Sequence, residues 1–243
     1  MAVTKNRIAK NIQAIRASIA EACERSGRDV RDVHLIGVTK SIECDTIRNL
    51  VEAGQFDLAE SRVQQLEPRI KDIAGWISRR RTPLPKPVRW HMIGHLQRNK
   101  VRQILGSTCL IHSVDSLRLG EEISNRAVAM DLPCVNVLVQ VNCSLEEQKY
   151  GCAVGAAESL AEVISQLPRV RLCGLMTMGP MKKTPGEPRN SFRRLRELFD
   201  EMEVNKNIDT AHFSHLSMGM SNDYEIGVEE GATIIRIGSG LFT

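Results

Sequence analysis

Ile8, Ile12, Ile15 and Ile19 recur four, three and four residues apart. That spacing lays one apolar stripe along a helix, and the pattern ends near Gly27. Beyond it, short apolar runs alternate with longer stretches of helical period. Residues 33–38, 56–59, 88–93, 109–112, 135–141, 172–176, 213–216 and 233–237 read as strands. Residues 45–53, 61–73, 96–105, 116–129, 153–167, 191–204 and 223–230 read as the helices between them. Strands that alternate with helices predict βαβ units and parallel pairing. Unbroken apolar runs such as Val137-Leu138-Val139 suit strands buried on both faces. The pattern predicts an α/β fold, a (β/α)8 TIM barrel with an extra N-terminal helix, with residues 1–243 as one domain. A doubly wound open sheet competes with it. Its glycine-rich fingerprint is missing after the first strand, where Val38-Thr39-Lys40-Ser41 stands, and there is no P-loop.

Two segments read as loops because their prolines disfavour both helix and sheet: residues 75–87, with Arg79-Arg80-Arg81, and residues 182–189. Three arginines beside one Trp76 make a weak nucleic-acid footprint, so the triplet reads as a solvated loop. The chain carries 33 basic and 29 acidic residues and a net charge of +4, a mixed surface that points to no nucleic-acid partner. No apolar run approaches the roughly 18 residues of a membrane span. Glu21 and Glu24 on the first helix argue against an organelle-targeting leader. Seven cysteines without a CxxC pair read as reduced intracellular thiols, which predicts a cytoplasmic protein.

On a barrel, chemistry sits at the C-terminal ends of the strands. Ser217-Met218-Gly219-Met220-Ser221 follows the seventh predicted strand, and Gly238-Ser239-Gly240 follows the eighth. Small and hydroxyl residues after both strands favour a phosphate site over plain turns, since backbone N–H groups can approach an anion there. Lys40 closes the first strand. It is either an exposed charge or an imine-forming amine; the latter needs its neutral form, which burial or a nearby cation such as Arg236 favours. An imine lysine beside a phosphate site is the combination pyridoxal phosphate requires. His91 and His95 have the i, i+4 spacing of some zinc sites, but Gly94 and the ending strand between them argue against a shared helix face and against a metal.

The chain resembles the pyridoxal phosphate homeostasis protein family. The resemblance rests on Gly37-Val38-Thr39-Lys40, Trp90-His91-Met92-Ile93-Gly94-His95-Leu96-Gln97, Val141-Asn142 with Glu146-Glu147-Gln148-Lys149-Tyr150-Gly151, Gly174-Leu175-Met176-Thr177-Met178-Gly179, Leu216-Ser217-Met218-Gly219-Met220-Ser221 with Val228-Glu229, and Arg236-Ile237-Gly238-Ser239. It implies a barrel like the N-terminal domain of alanine racemase, with pyridoxal 5'-phosphate held as an internal aldimine on Lys40. Ser217, the neighbouring Met218, Gly238 and Ser239 are then expected around the phosphate, and Arg236 beside the pyridine nitrogen. A permanent cation there discourages ring protonation and weakens carbanion chemistry. Ala59-Glu60-Ser61-Arg62 stands where the family carries Gly-Glu-Asn-Tyr, which leaves Ser61 to donate where the asparagine does.

The resemblance implies a monomer that serves vitamin B6 homeostasis, with pyridoxal-phosphate-dependent apoenzymes as recipients. The competing class is an enzyme, an amino-acid racemase or decarboxylase. A racemase needs two acid/base groups on opposite faces of its substrate. Eight βα units and the first helix use up the length, which is expected to leave no second domain, and neither Tyr150 nor Tyr224 has an evident place as the second group. The sequence therefore favours a carrier.

Overall fold

The structure, a computed structural model, describes residues 3–180 and 186–243. The predicted loop at 182–189 lies outside the described residues as far as position 185. The chain begins with α1 (Lys5–Ser26), which leads into β1 (His34–Val38), α2 (Cys44–Glu52), β2 (Asp57–Glu60), α3 (Val63–Ser78) and β3 (Arg89–Met92). Next come α4 (Val101–Ile104), β4 (Leu110–Val114), α5 (Leu117–Ala129), β5 (Val135–Gln140), α6 (Ala157–Ser165) and β6 (Val170–Met176). The chain ends with α7 (Glu187–Glu203), β7 (His215–Met220), α8 (Tyr224–Glu229), β8 (Ile234–Ile237) and α9 (Ser239–Phe242). All the strands pair in parallel and in chain order, and β1 closes on β8 with Leu35 opposite Ile235. The fold is the predicted (β/α)8 barrel.

Alternation along the strands makes two cores. Ile36, Val38, Ala59, Leu110, Leu138, Cys173, Met176 and Ile234 pack inside the barrel. A larger apolar layer lies between the strands and the helices and includes Leu58, Met92, Ile111, Leu216, Met218 and Ile235. The axis is not wholly apolar: His91, His112, Ser217 and Arg236 are also buried there.

The first helix forms where the isoleucine stripe places it. Thr4 caps it by accepting from the Arg7 N–H, and Ile8, Ile12, Ile15 and Ile19 are all buried. It packs on α2, α8 and α9. Asn11 donates to the Leu241 and Thr243 carbonyls, and Arg28 donates to the carbonyls of Val228 and Ala232.

Several boundaries move from their predicted positions. Residues 75–78 are helical, because α3 runs on to Ser78. Arg80 is not free in solvent: it lies over the Trp76 ring at 4.6 Å and pairs with Glu52 at 2.7 Å. The predicted helix at 96–105 shrinks to a 3-10 turn and α4. The helix α7 starts at Glu187 rather than 191, since Pro188 in a first turn loses no intrahelical bond. The change that bears on the cleft is at β7, which runs on to Met220 because Ser217 and Met220 stay paired with Ile234 and Arg236 of β8.

Ile8→Ala should lower the unfolding free energy by about 2–4 kcal/mol, since the side chain is fully buried. Urea titration checks this; a loss below about 0.5 kcal/mol would mean that α1 is not part of the cooperative fold.

Candidate functional site

The strands' C-terminal ends open into a cleft of about 1100 Å³. Its walls carry Lys40 and Ser61 from the first two βα turns, His95 beyond β3, Tyr150 beyond β5, and Arg236, Gly238 and Ser239 at the end of β8. Five of the seven residues expected to bind a ligand therefore meet in one cleft: Lys40, Ser61, Arg236, Gly238 and Ser239.

Lys40 sits one residue past the buried Thr39 and is itself exposed. Its turn is held from below. The Ile42 N–H donates to the Thr39 carbonyl, and Ser41 takes a left-handed φ of 64°. Arg69 of α3 donates to the carbonyls of Thr39 (2.9 Å) and Ile42 (2.6 Å). The same guanidinium pairs with Glu60, which is fully buried and also accepts from the Thr39 hydroxyl. A buried ion pair thus fixes the backbone on both sides of Lys40. Among the described residues no carboxylate pairs with Lys40 itself. Gly94 closes the next wall: a Cβ there would lie 2.0 Å from the Ser61 carbonyl oxygen, so only glycine lets this loop lie against Ser61.

Arg236 is buried at the floor of the cleft. It donates to the Ser217 hydroxyl at 2.6 Å and to the Thr177 carbonyl at 2.8 Å. Both acceptors are neutral, and among the described residues no carboxylate comes within ion-pair distance. Burial pulls its pKa down to about 10, and the more distant Asp223 opposes this only in part. The group is still cationic at neutral pH.

Two expected residues lie elsewhere. Ser217 is inside the barrel, bonded to Arg236 and to His112, and does not line the cleft. Met218 points the other way, into the apolar layer under the helices. The cause is the extension of β7, which moves the end of the strand from position 216 to 220. Ser221 is the hydroxyl at that end; it lines the cleft and accepts from the N–H groups of Gly238 (3.2 Å) and Gly240 (3.4 Å). Gly219 serves packing rather than a ligand. Its φ is 94°, and a Cβ would meet Tyr224 at 2.9 Å.

The sequence missed Glu60 and Arg69 as supports for Lys40, and also Tyr150. That tyrosine lies flat on His95, with ring centroids 4.2 Å apart and planes 12° apart, at the rim of the cleft. His91 faces the barrel axis instead, against His112, so His91 and His95 share no site.

A family profile described as the alanine racemase N-terminal domain matches residues 4–243. A pyridoxal phosphate homeostasis protein of Aquifex aeolicus (strain VF5) is 39% identical over 227 residues, which is 92% of each chain. The chain belongs to this family. Among solved structures, an unknown protein from Bifidobacterium adolescentis superposes with a TM-score of 0.91 at 33% identity and covers 98% of this chain and 95% of its own. PipY of Synechococcus elongatus PCC7942, with PLP bound, has a TM-score of 0.79 at 28% identity and covers 97% of this chain and 100% of its own. The likeness to the homeostasis proteins thus extends over nearly the whole barrel, cleft included.

Arg236 is a cation kept out of water without a contacting anion, which opposes folding. A pKa lowered in the folded state means that this cost is fully present at neutral pH and is relieved only as pH rises through about 10. The displacement corresponds to about 3 kcal/mol. Arg236→Met should therefore leave the ligand-free protein as stable as the parent or more so, while sharply weakening ligand binding. Paired urea and binding titrations check this; a large loss of stability would mean that Arg236 holds the fold rather than the site.

Proposed function

We propose that this protein binds pyridoxal 5'-phosphate and serves vitamin B6 cofactor homeostasis, with residues 1–243 acting as one barrel domain. The observation that carries the reading is the convergence in one cleft of an amine at Lys40, a buried cation at Arg236 and the Gly238–Ser239 turn. Each suits one part of the cofactor. Lys40, unpaired and with its turn clamped by Glu60 and Arg69, is the amine for covalent attachment. The Gly238–Ser239 turn, whose Gly238 N–H is drawn to the Ser221 hydroxyl, gathers small polar groups at one end of the cleft and suits a phosphate. Arg236 suits the ring nitrogen, and Ser61 is a hydroxyl donor on the facing wall.

Bound cofactor supplies an aldehyde and an electron-withdrawing ring. Arg236 stays charged at neutral pH and opposes a second positive charge on that ring, which makes it a weaker electron sink. This supports a carrier in place of a catalyst, acting as a monomer in the cytoplasm and passing cofactor to apoenzymes that depend on it. Among the described residues no helix is long and apolar enough to cross a membrane, and all seven cysteines are unpaired.

Tyr150 favours a second reading. It places an acid/base-capable group at the rim of the cleft, as a racemase would require.

The wild-type protein should be yellow when loaded, and Lys40→Ala should remove that absorbance while changing stability by no more than about 0.5 kcal/mol, since the side chain is exposed. A colourless wild type after addition of cofactor contradicts the binding reading. Loaded protein incubated with a panel of L-amino acids should show neither loss of optical rotation nor release of carbon dioxide. Turnover that disappears in Tyr150→Phe would establish the racemase reading in place of the carrier.

A further inference from the structure

The buried polar groups on the barrel axis form one continuous hydrogen-bonded file. Arg236 donates to the Ser217 Oγ at 2.6 Å, and Ser217 Oγ lies 2.8 Å from His112 Nδ1. His112 Nε2 lies 3.1 Å from His91 Nδ1, and His91 Nε2 lies 3.3 Å from the Asp57 Oδ1. Asp57 in turn accepts two hydrogen bonds from Arg89, at 2.6 and 2.9 Å. Asp57 and Arg89 line a second cleft, of about 630 Å³, which also holds residues at the start of β1 and lies at the opposite mouth of the barrel. The file therefore runs from the floor of the ligand cleft to the far face.

The Asp57 end fixes the direction of the file. A carboxylate only accepts, so His91 carries its proton on Nε2 and points it at Asp57. His91 Nδ1 is then bare and accepts from His112 Nε2–H. That leaves His112 Nδ1 to accept the Ser217 hydrogen, while Ser217 Oγ accepts from Arg236, which only donates. In the reverse polarity, the bare His91 Nε2 would face the carboxylate. One pair of tautomers satisfies all the links.

We propose that Ser217, His112, His91 and Asp57 are positioning residues which hold the Arg236 guanidinium in the ligand cleft through this polarised file, with the Arg89-paired Asp57 carboxylate as its far acceptor. The proposal rests on the reading of the cleft as a pyridoxal phosphate site only for what Arg236 faces; the file itself is a property of the chain. Neighbouring charges agree with it. Burial lowers the pKa of both histidines, at His91 against the raising effect of Asp57, at His112 with the charges of His91, Arg236 and His215 adding to it. His34 and Arg89 also face His91, and the Cys109 Sγ lies 3.3 Å from its Nε2. Burial alone would raise the Asp57 carboxyl, but hydrogen bonds from His91 and Arg89 outweigh it and hold the group at about 2. The anionic end therefore stays charged at every pH above about 4.

The test uses the full chain labelled with 15N-histidine and free of cofactor. Long-range proton–nitrogen spectra at about pH 8 should show His91 and His112, assigned from His91→Asn and His112→Asn, as Nε2–H tautomers. In Asp57→Asn the amide no longer selects one direction, and Nδ1–H tautomers should appear at both histidines. In protein loaded with pyridoxal phosphate, Asp57→Asn should weaken binding by about three- to tenfold and move the pH midpoint of the visible band, although it lies at the opposite mouth. A residue with a merely structural role would change the melting temperature and leave both the tautomers and the midpoint in place. Protonated or Nδ1–H histidines in the parent, or tautomers unchanged in Asp57→Asn, would overturn the proposal. If Asp57→Asn does not fold, His91→Asn breaks the file between Asp57 and His112 and must release the His112 tautomer. If the parent binds no pyridoxal phosphate, the spectra of the free chain still decide the file, and only the reading of the cleft fails.

Discussion

The site is organised around one costly element, a guanidinium buried in a barrel with no carboxylate in contact among the described residues. Arg236 satisfies two of its N–H groups with the Ser217 hydroxyl and the Thr177 carbonyl, and it faces the cleft with a charge that no described neighbour in contact neutralises. Ordinary packing selects against such a group, because replacing a buried charge with an apolar side chain of similar size is often neutral or stabilising. Its retention makes sense if the charge is completed by what enters the cleft.

The other parts of the site are subordinate to that placement. The closed sheet brings the end of β8 beside the end of β1, with Ile36 level with Arg236, so the turn that carries Lys40 opens on the same floor. That turn is not left to its own flexibility. Glu60 and Arg69, from the next strand and helix, grip the carbonyls on both sides of it, and α1 braces the C-terminal segment from outside. Rigid supports beneath a solvent-exposed amine suit a group that must meet an aldehyde reproducibly while remaining able to release it.

Much of this was legible in the chain. Isoleucines at helical spacing and eight apolar runs separated by helical segments are enough to imply the barrel, because strand and helix periods differ. Lys40, Ser61, Arg236, Gly238 and Ser239 were readable because strand ends on a barrel share a face. Ser217 was misplaced because Ser217-Met218-Gly219 has the composition of a loop, yet two neighbouring strands keep it paired, and a hydroxyl facing the axis finds partners in Arg236 and His112. The Glu60–Arg69 clamp and the file from Arg236 to Asp57 were not legible at all. They depend on strand register and on side chains 105 and 34 residues apart, as in His112 with Ser217 and Asp57 with His91, which no local pattern records.

The central claim, that the cleft holds pyridoxal phosphate on Lys40 above a charged floor, is tested most directly by trapping the attachment. The loaded protein is reduced with borohydride, digested and mapped by mass spectrometry. The account predicts one pyridoxyl-phosphate adduct, on the peptide that contains Lys40. An adduct confined to another lysine, or none on a protein that has taken up the cofactor, would contradict it.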